Sequence, residues 1–98
     1  MNGYRLSNEA IKDLDDIWFY TCQKWSVEQA DRYYYLIIDE IKFIASNPLT
    51  GRSVSYIKEG YRSTIIKSHV IFYRQIENDI ILIVRILHQN MDIENRMK

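Results

Sequence analysis

Cysteine is almost missing from this chain: Cys22 stands alone among 98 residues. One cysteine excludes an internal disulfide framework and a cysteine-built zinc site. Proline occurs once, at Pro48, and glycine three times, so long uninterrupted elements are expected. No apolar run approaches the ~20 residues of a membrane span; the longest, Tyr33 to Ile38, has six residues. The segment Met1 to Arg5 lacks the apolar core of a secretory signal. These absences point to one cytoplasmic domain over residues 1–98, with no membrane partner.

Net charge is also absent, but its distribution is uneven. Residues 1–50 carry five Lys/Arg against eight Asp/Glu, and residues 51–98 carry eight against five. Between Arg52 and Arg74, only Glu59 opposes Arg52, Lys58, Arg62, Lys67 and Arg74. Two readings stand: an acidic partner for the C-terminal half, or a solvated sheet face beside an acidic helical face. A zero net charge argues against a domain that reads nucleic acid directly.

What is present is a clear order of elements. Tyr4, Arg5 and Leu6 form a short extended piece before a helix start at Ser7, whose hydroxyl can cap free N–H groups. Ala10, Ile11, Leu14, Ile17, Trp18, Cys22 and Trp25 then recur at helical steps, which predicts one buried face. Ser26 and Gln29 have capping-box spacing and open a second helix with Val27, Ala30, Tyr34, Ile37, Ile41, Ile44 and Ala45 on one stripe. Asn47 and Pro48 stop it. So short a joint predicts an antiparallel helical hairpin.

Three strands rich in Ile, Val, Tyr, Phe and Thr follow, over 61–67, 70–76 and 80–87. Polar turns at Ser68 and His69 and at Glu77 to Asp79 separate them. The fold class is α+β: a short N-terminal strand, a helical hairpin, a three-stranded antiparallel C-terminal sheet and a short tail or helix.

The hairpin covers one sheet face, yet the last strand is apolar on both: Ile80, Leu82, Val84 and Ile86 alternate with Ile81, Ile83 and Leu87. Residues 91–98 are little material to roof the second face. Either the sheet curls on itself, or an apolar patch awaits a partner, with Ile81, Ile83, Leu87, Phe72 and Tyr73 as candidate contacts.

Arg85 and the run His88, Gln89, Asn90, Met91, Asp92 have no evident packing role. His88 with Asp92 and Arg85 could serve acid–base work on a phosphodiester, or could form a polar cap that fixes the tail. His69 reads as solvated in its turn. Two distant histidines give no metal-ligand spacing, and Asp13, Asp15 and Asp16 suit the start of a helix. Nothing resembles a phosphate loop, a nucleophile elbow or a dinucleotide fingerprint. Trp18, Phe19, Tyr20, Trp25 and Tyr33 to Tyr35 could stack bases, but at helical spacing they read as core and rim of the hairpin.

Several motifs, in order, carry a resemblance: Tyr4 to Ala10, Asp13 to Trp18, the Trp25 to Ala30 joint, Asn47 to Arg52, Gly60 to Ser63, His69 to Arg74 and Val84 to Asp92. Together they resemble the ParE branch of the RelE/ParE superfamily of toxin–antitoxin toxins. The resemblance implies two helices on an antiparallel sheet and a non-enzymatic protein, without cofactor, that traps DNA gyrase on cleaved DNA. It also implies a small acidic antitoxin, encoded beside it, that wraps the toxin. Arg52, Lys58, Arg85, His88, Gln89, Asn90, Met91 and Asp92 are then the candidate gyrase contacts.

RelE-type relatives, which cut message on the ribosome, are the main alternative. Ser63, Thr64, Ile65, Ile66 and Val70 are poor holders of a scissile phosphate, although Arg62, Lys67, Arg85 and His88 remain as participants. A third reading is a non-toxic partner that represses together with its antitoxin.

Overall fold

The computed structural model describes residues 3–97. Ser7 starts the first helix as the sequence predicts. Its Oγ accepts the Ala10 N–H at 3.0 Å and donates to the Val84 carbonyl at 2.7 Å, so one hydroxyl caps α1 (Asn8–Lys24) and pins it to a distant strand. Ser26 caps α2 (Val27–Ser46) through the Gln29 N–H. A 3₁₀ turn, Pro48–Thr50, follows at the predicted stop.

The sheet has five strands in the order β1-β5-β4-β3-β2. These are β1 (Gly3–Leu6), β2 (Arg52–Ser53), β3 (Arg62–Ile66), β4 (His69–Glu77) and β5 (Ile80–His88). β1 joins β5 in parallel and the remaining pairs are antiparallel. The short β2 is an addition to the sequence reading, since two residues carry no alternation to read. A four-residue helix, α3 (Ile93–Arg96), closes the order; the last residue of the expected tail lies outside the described residues.

The front face of the sheet packs on the helices through Ala10, Leu14, Ile37, Ile41, Ile44, Ile71, Tyr73, Ile81, Ile83 and Ile86. The register slips where Phe72 faces Arg85 but Tyr73 faces Ile83. This bulge leaves Val84 over and brings both Ile83 and Ile86 to the front.

Behind the sheet, Val70, Phe72 and Leu87 are covered by Val54, Ile57 and Tyr61 from the β2–β3 loop and by Ile93 and Met97 from the tail. The expected bare face at Ile81, Ile83, Leu87, Phe72 and Tyr73 is therefore corrected: all five are core residues, at most 2% exposed. The tail is short but apolar at the two positions that matter. On the hairpin, Ile11, Trp25 and Val27 are exposed and Cys22 is half-buried, so the buried stripe is narrower than its periodicity predicts.

Tyr73 illustrates how the front core holds a loop. Its Oη donates to the Pro48 carbonyl at 2.7 Å and accepts the Gly51 N–H at 3.0 Å. A Cβ at Gly51 would stand 2.0 Å from that oxygen, so only glycine admits the approach.

Candidate functional site

Arg85 has the packing role that its sequence context hides. Its Nε and Nη2 donate to Asp13 of α1 at 2.8 and 3.0 Å, while the Ile86 N–H donates to the same carboxylate at 2.9 Å. The two side chains are only 18% and 12% exposed. Arg85 lies beyond Ile83, where β5 has no β1 neighbour and its edge meets α1, and the hydrogen bonds to Asp13 hold its pKa above the ordinary value. Its Nη1 also reaches the Arg96 carbonyl at 3.4 Å, tying the tail to β5.

His88 and Asp92 do not pair. His88 Nδ1 accepts the Asn90 N–H at 3.1 Å, so the neutral ring carries its proton on Nε2. Asp92 is bonded to Asn95 at the start of α3. Gln89 donates from its backbone to Ser68 and from its side chain to Lys67. Met91 is exposed. The segment is a local polar turn that seats α3.

His69, expected to be solvated, opens β4 and lies directly across from His88, with ring centroids 5.3 Å apart. Its Nδ1 is 2.6 Å from Tyr33 Oη. Burial, and then the neighbouring His88, push its pKa down to about 4, while Asp13 opposes them. The sequence offered no sign of this cluster, because Tyr33 is remote in the chain.

The expected basic residues fall in two places. Arg52 and Lys58 are exposed, and Lys58 Nζ lies 5.8 Å above the Tyr61 ring. Arg62 is committed to the Gly51 carbonyl at 2.8 Å.

Between the β2–β3 loop and α3 runs an open groove of about 460 Å³. Buried Val70 and Phe72 form its floor, exposed Tyr56 and Ile65 stand on its rim, and Arg52 and Glu94 are its charged lining residues. Tyr56 is 74% exposed and Ile65 61%. β2 pairs only with Arg62 and Ser63, so among the described residues no strand covers the outer edge of 64–66. An apolar floor, exposed apolar rims and a free backbone edge suit docking of another polypeptide. The sequence hinted at this through apolar residues on both sides of β5, but it placed the opening on the wrong strand.

The sequence pattern described as the ParE toxin of type II toxin–antitoxin systems, parDE, matches residues 4–93. The chain belongs to the ParE toxin family. Curated relatives agree along nearly the full length. Toxin ParE1 of Caulobacter vibrioides is 43% identical over 95 residues, covering 94% of each chain. Toxin ParE1 of Mycobacterium tuberculosis is 38% identical over 94 residues, covering 96% of each. Toxin ParE of Escherichia coli is 29% identical over 97 residues, with 99% and 94% covered. A chain of the solved chromosomal ParDE system from P. aeruginosa superposes with a TM-score of 0.76 at 20% identity. It covers 90% of this chain and 96% of its own, and supports the fold. This ParE-family chain is thus a toxin of a toxin–antitoxin system, which implies a cognate antitoxin. Among the described residues no helix is long and apolar enough to cross a membrane.

Proposed function

We propose that this ParE-family toxin poisons DNA gyrase, holding the enzyme on cleaved DNA so that replication stalls. Its action is a protein–protein contact in the cytoplasm, without catalysis by its own side chains. The groove behind the sheet carries this reading. Tyr56 and Ile65 are large, exposed and apolar beside a buried Val70–Phe72 floor, and Arg52 supplies a cation at the rim. Exposed aromatic and aliphatic anchors beside a pocket are what a protein partner grips.

Most side chains that phosphodiester cleavage would draw on are engaged elsewhere, the exposed Lys67 excepted. Arg85 serves Asp13, His69 faces Tyr33, Arg62 serves Gly51, and His88 Nδ1 takes the Asn90 N–H. Lys58 and the 88–92 turn, next in the chain to the groove residues Ile57 and Ile93, are secondary gyrase contacts; Arg85 contributes by seating the tail.

The antitoxin is a small acidic protein whose extended segment adds to the free edge of β3 and fills the same groove. Phe72 is then its one core contact, while Ile81, Ile83, Leu87 and Tyr73 stay inside. Purified toxin incubated with gyrase, ATP and supercoiled plasmid should yield linear DNA after detergent and protease. An intact plasmid, together with cut message on translating ribosomes, would replace this reading with a ribonuclease. Inactivity in both assays with antitoxin binding retained would make the chain a co-repressor.

A further inference from the structure

The helical layer, across the sheet from the groove, carries a second opening. A shallow pocket of about 260 Å³ lies between α1 and α2, lined by Asp15, Trp18, Phe19, Asp31, Tyr34 and Tyr35. Each helix contributes one edge-to-face aromatic pair, Trp18 with Phe19 and Tyr34 with Tyr35, both with centroids 5.5 Å apart. The Trp18 indole N–H donates to Asp31 Oδ1 at 2.9 Å, fixing the ring and leaving Oδ2 open. Phe19 and Tyr35 are 61% and 63% exposed.

We propose that this pocket is a binding site for an arginine side chain presented by a partner polypeptide. Four rings offer negative π-faces, and two carboxylates stand among them. No lining residue is basic. A purely apolar segment seated here would strip water from Asp15 and Asp31 and return nothing. A guanidinium satisfies both demands, because it stacks on rings and donates in a planar fork to carboxylates. The negative field extends along the hairpin: the Cys22 thiol is held above its ordinary pKa by burial and then by Asp31 and Glu28. The site is independent of the gyrase reading and lies on the other face of the sheet.

The test uses the full chain labelled with nitrogen-15 and a short blocked peptide containing one arginine. Its twin carries citrulline, which keeps the shape and removes the charge. The chain has two tryptophans, Trp18 and Trp25, so a Trp25→Phe variant assigns the indole signals. The arginine peptide should shift the Trp18 indole N–H saturably, and the citrulline peptide should bind roughly tenfold more weakly. Asp15→Asn with Asp31→Asn, or Tyr35→Leu alone, should weaken arginine binding by a similar factor while amide dispersion stays native. These positions are on the surface or the pocket rim, so loss of fold is not expected and is checked in the same spectra. Equal binding of both peptides, or no saturable shift of the Trp18 signal, would overturn the proposal.

Discussion

The two faces of the sheet are closed by very different means. In front, helices of 17 and 20 residues lay a continuous apolar stripe over β4 and β5. Behind, a loop, a four-residue helix and the residue that caps it lend Val54, Ile57, Ile93 and Met97 to a small second cluster. Long amphipathic helices bury area cooperatively, whereas short pieces close only what lies beneath them. The back face therefore keeps a groove and the front does not. The larger core cluster lies on one side of the sheet and the open apolar groove on the other, a division common where function needs less-supported elements.

This contrast can be broken first at the tie between α1 and β5. Asp13→Ala strands the Arg85 guanidinium and removes the acceptor of the Ile86 N–H, and should cost about 3–5 kcal/mol in urea unfolding. Replacing Asp13 and Arg85 together with apolar residues should recover the part due to the unpaired charge but not the part due to the Ile86 N–H, which still lacks its acceptor. A comparison of Ile41→Ala with Met97→Ala sharpens the difference between faces. The front substitution should lose about 3–4 kcal/mol and the back one about 2, judged by urea midpoints at unchanged slope.

Tyr73→Phe comes next, at about 1–3 kcal/mol. It leaves the Gly51 N–H and the Pro48 carbonyl without their partner. Gly51→Ala should do at least as much, since the Tyr73 ring must move away from the new methyl.

The smallest effect is one of pH. His69 has a folded pKa of about 4, below its unfolded value of 6.5. The unfolded chain therefore binds the extra proton, and stability is complete above pH 6.5 and lost as pH falls toward 4. After solvent screening the loss is on the order of 1 kcal/mol. Its signature is the difference from a His69→Asn variant, whose stability should change less across that window. Tyr33, His88 and Asp13 face the ring and remain in both proteins.

The helices were legible in the sequence to within a residue, because Ser7, Ser26 and Pro48 act locally through capping and a missing donor. The three main strands were legible for a similar reason, since alternation and polar turns are local signals. What escaped were features made by long-range register. Arg85 looked unemployed because its partner Asp13 comes from α1, 72 residues away in the chain. His69 looked solvated because its partner Tyr33 comes from α2. The bare platform expected behind β5 was closed by Ile93 and Met97, whose weak local pattern gave no hint of docking. The true opening, beside Ile65 and Tyr56, arises from a two-residue strand too short to read.

In the proposed function the groove, not a catalytic centre, delivers toxicity. Gyrase-dependent plasmid linearisation by wild type and by a Tyr56→Ala, Ile65→Ser double variant tests it most directly, once equal unfolding midpoints are established. Linear DNA from the wild type and at least a roughly tenfold loss in the variant is the predicted result. Equal linearisation by the two proteins would contradict it.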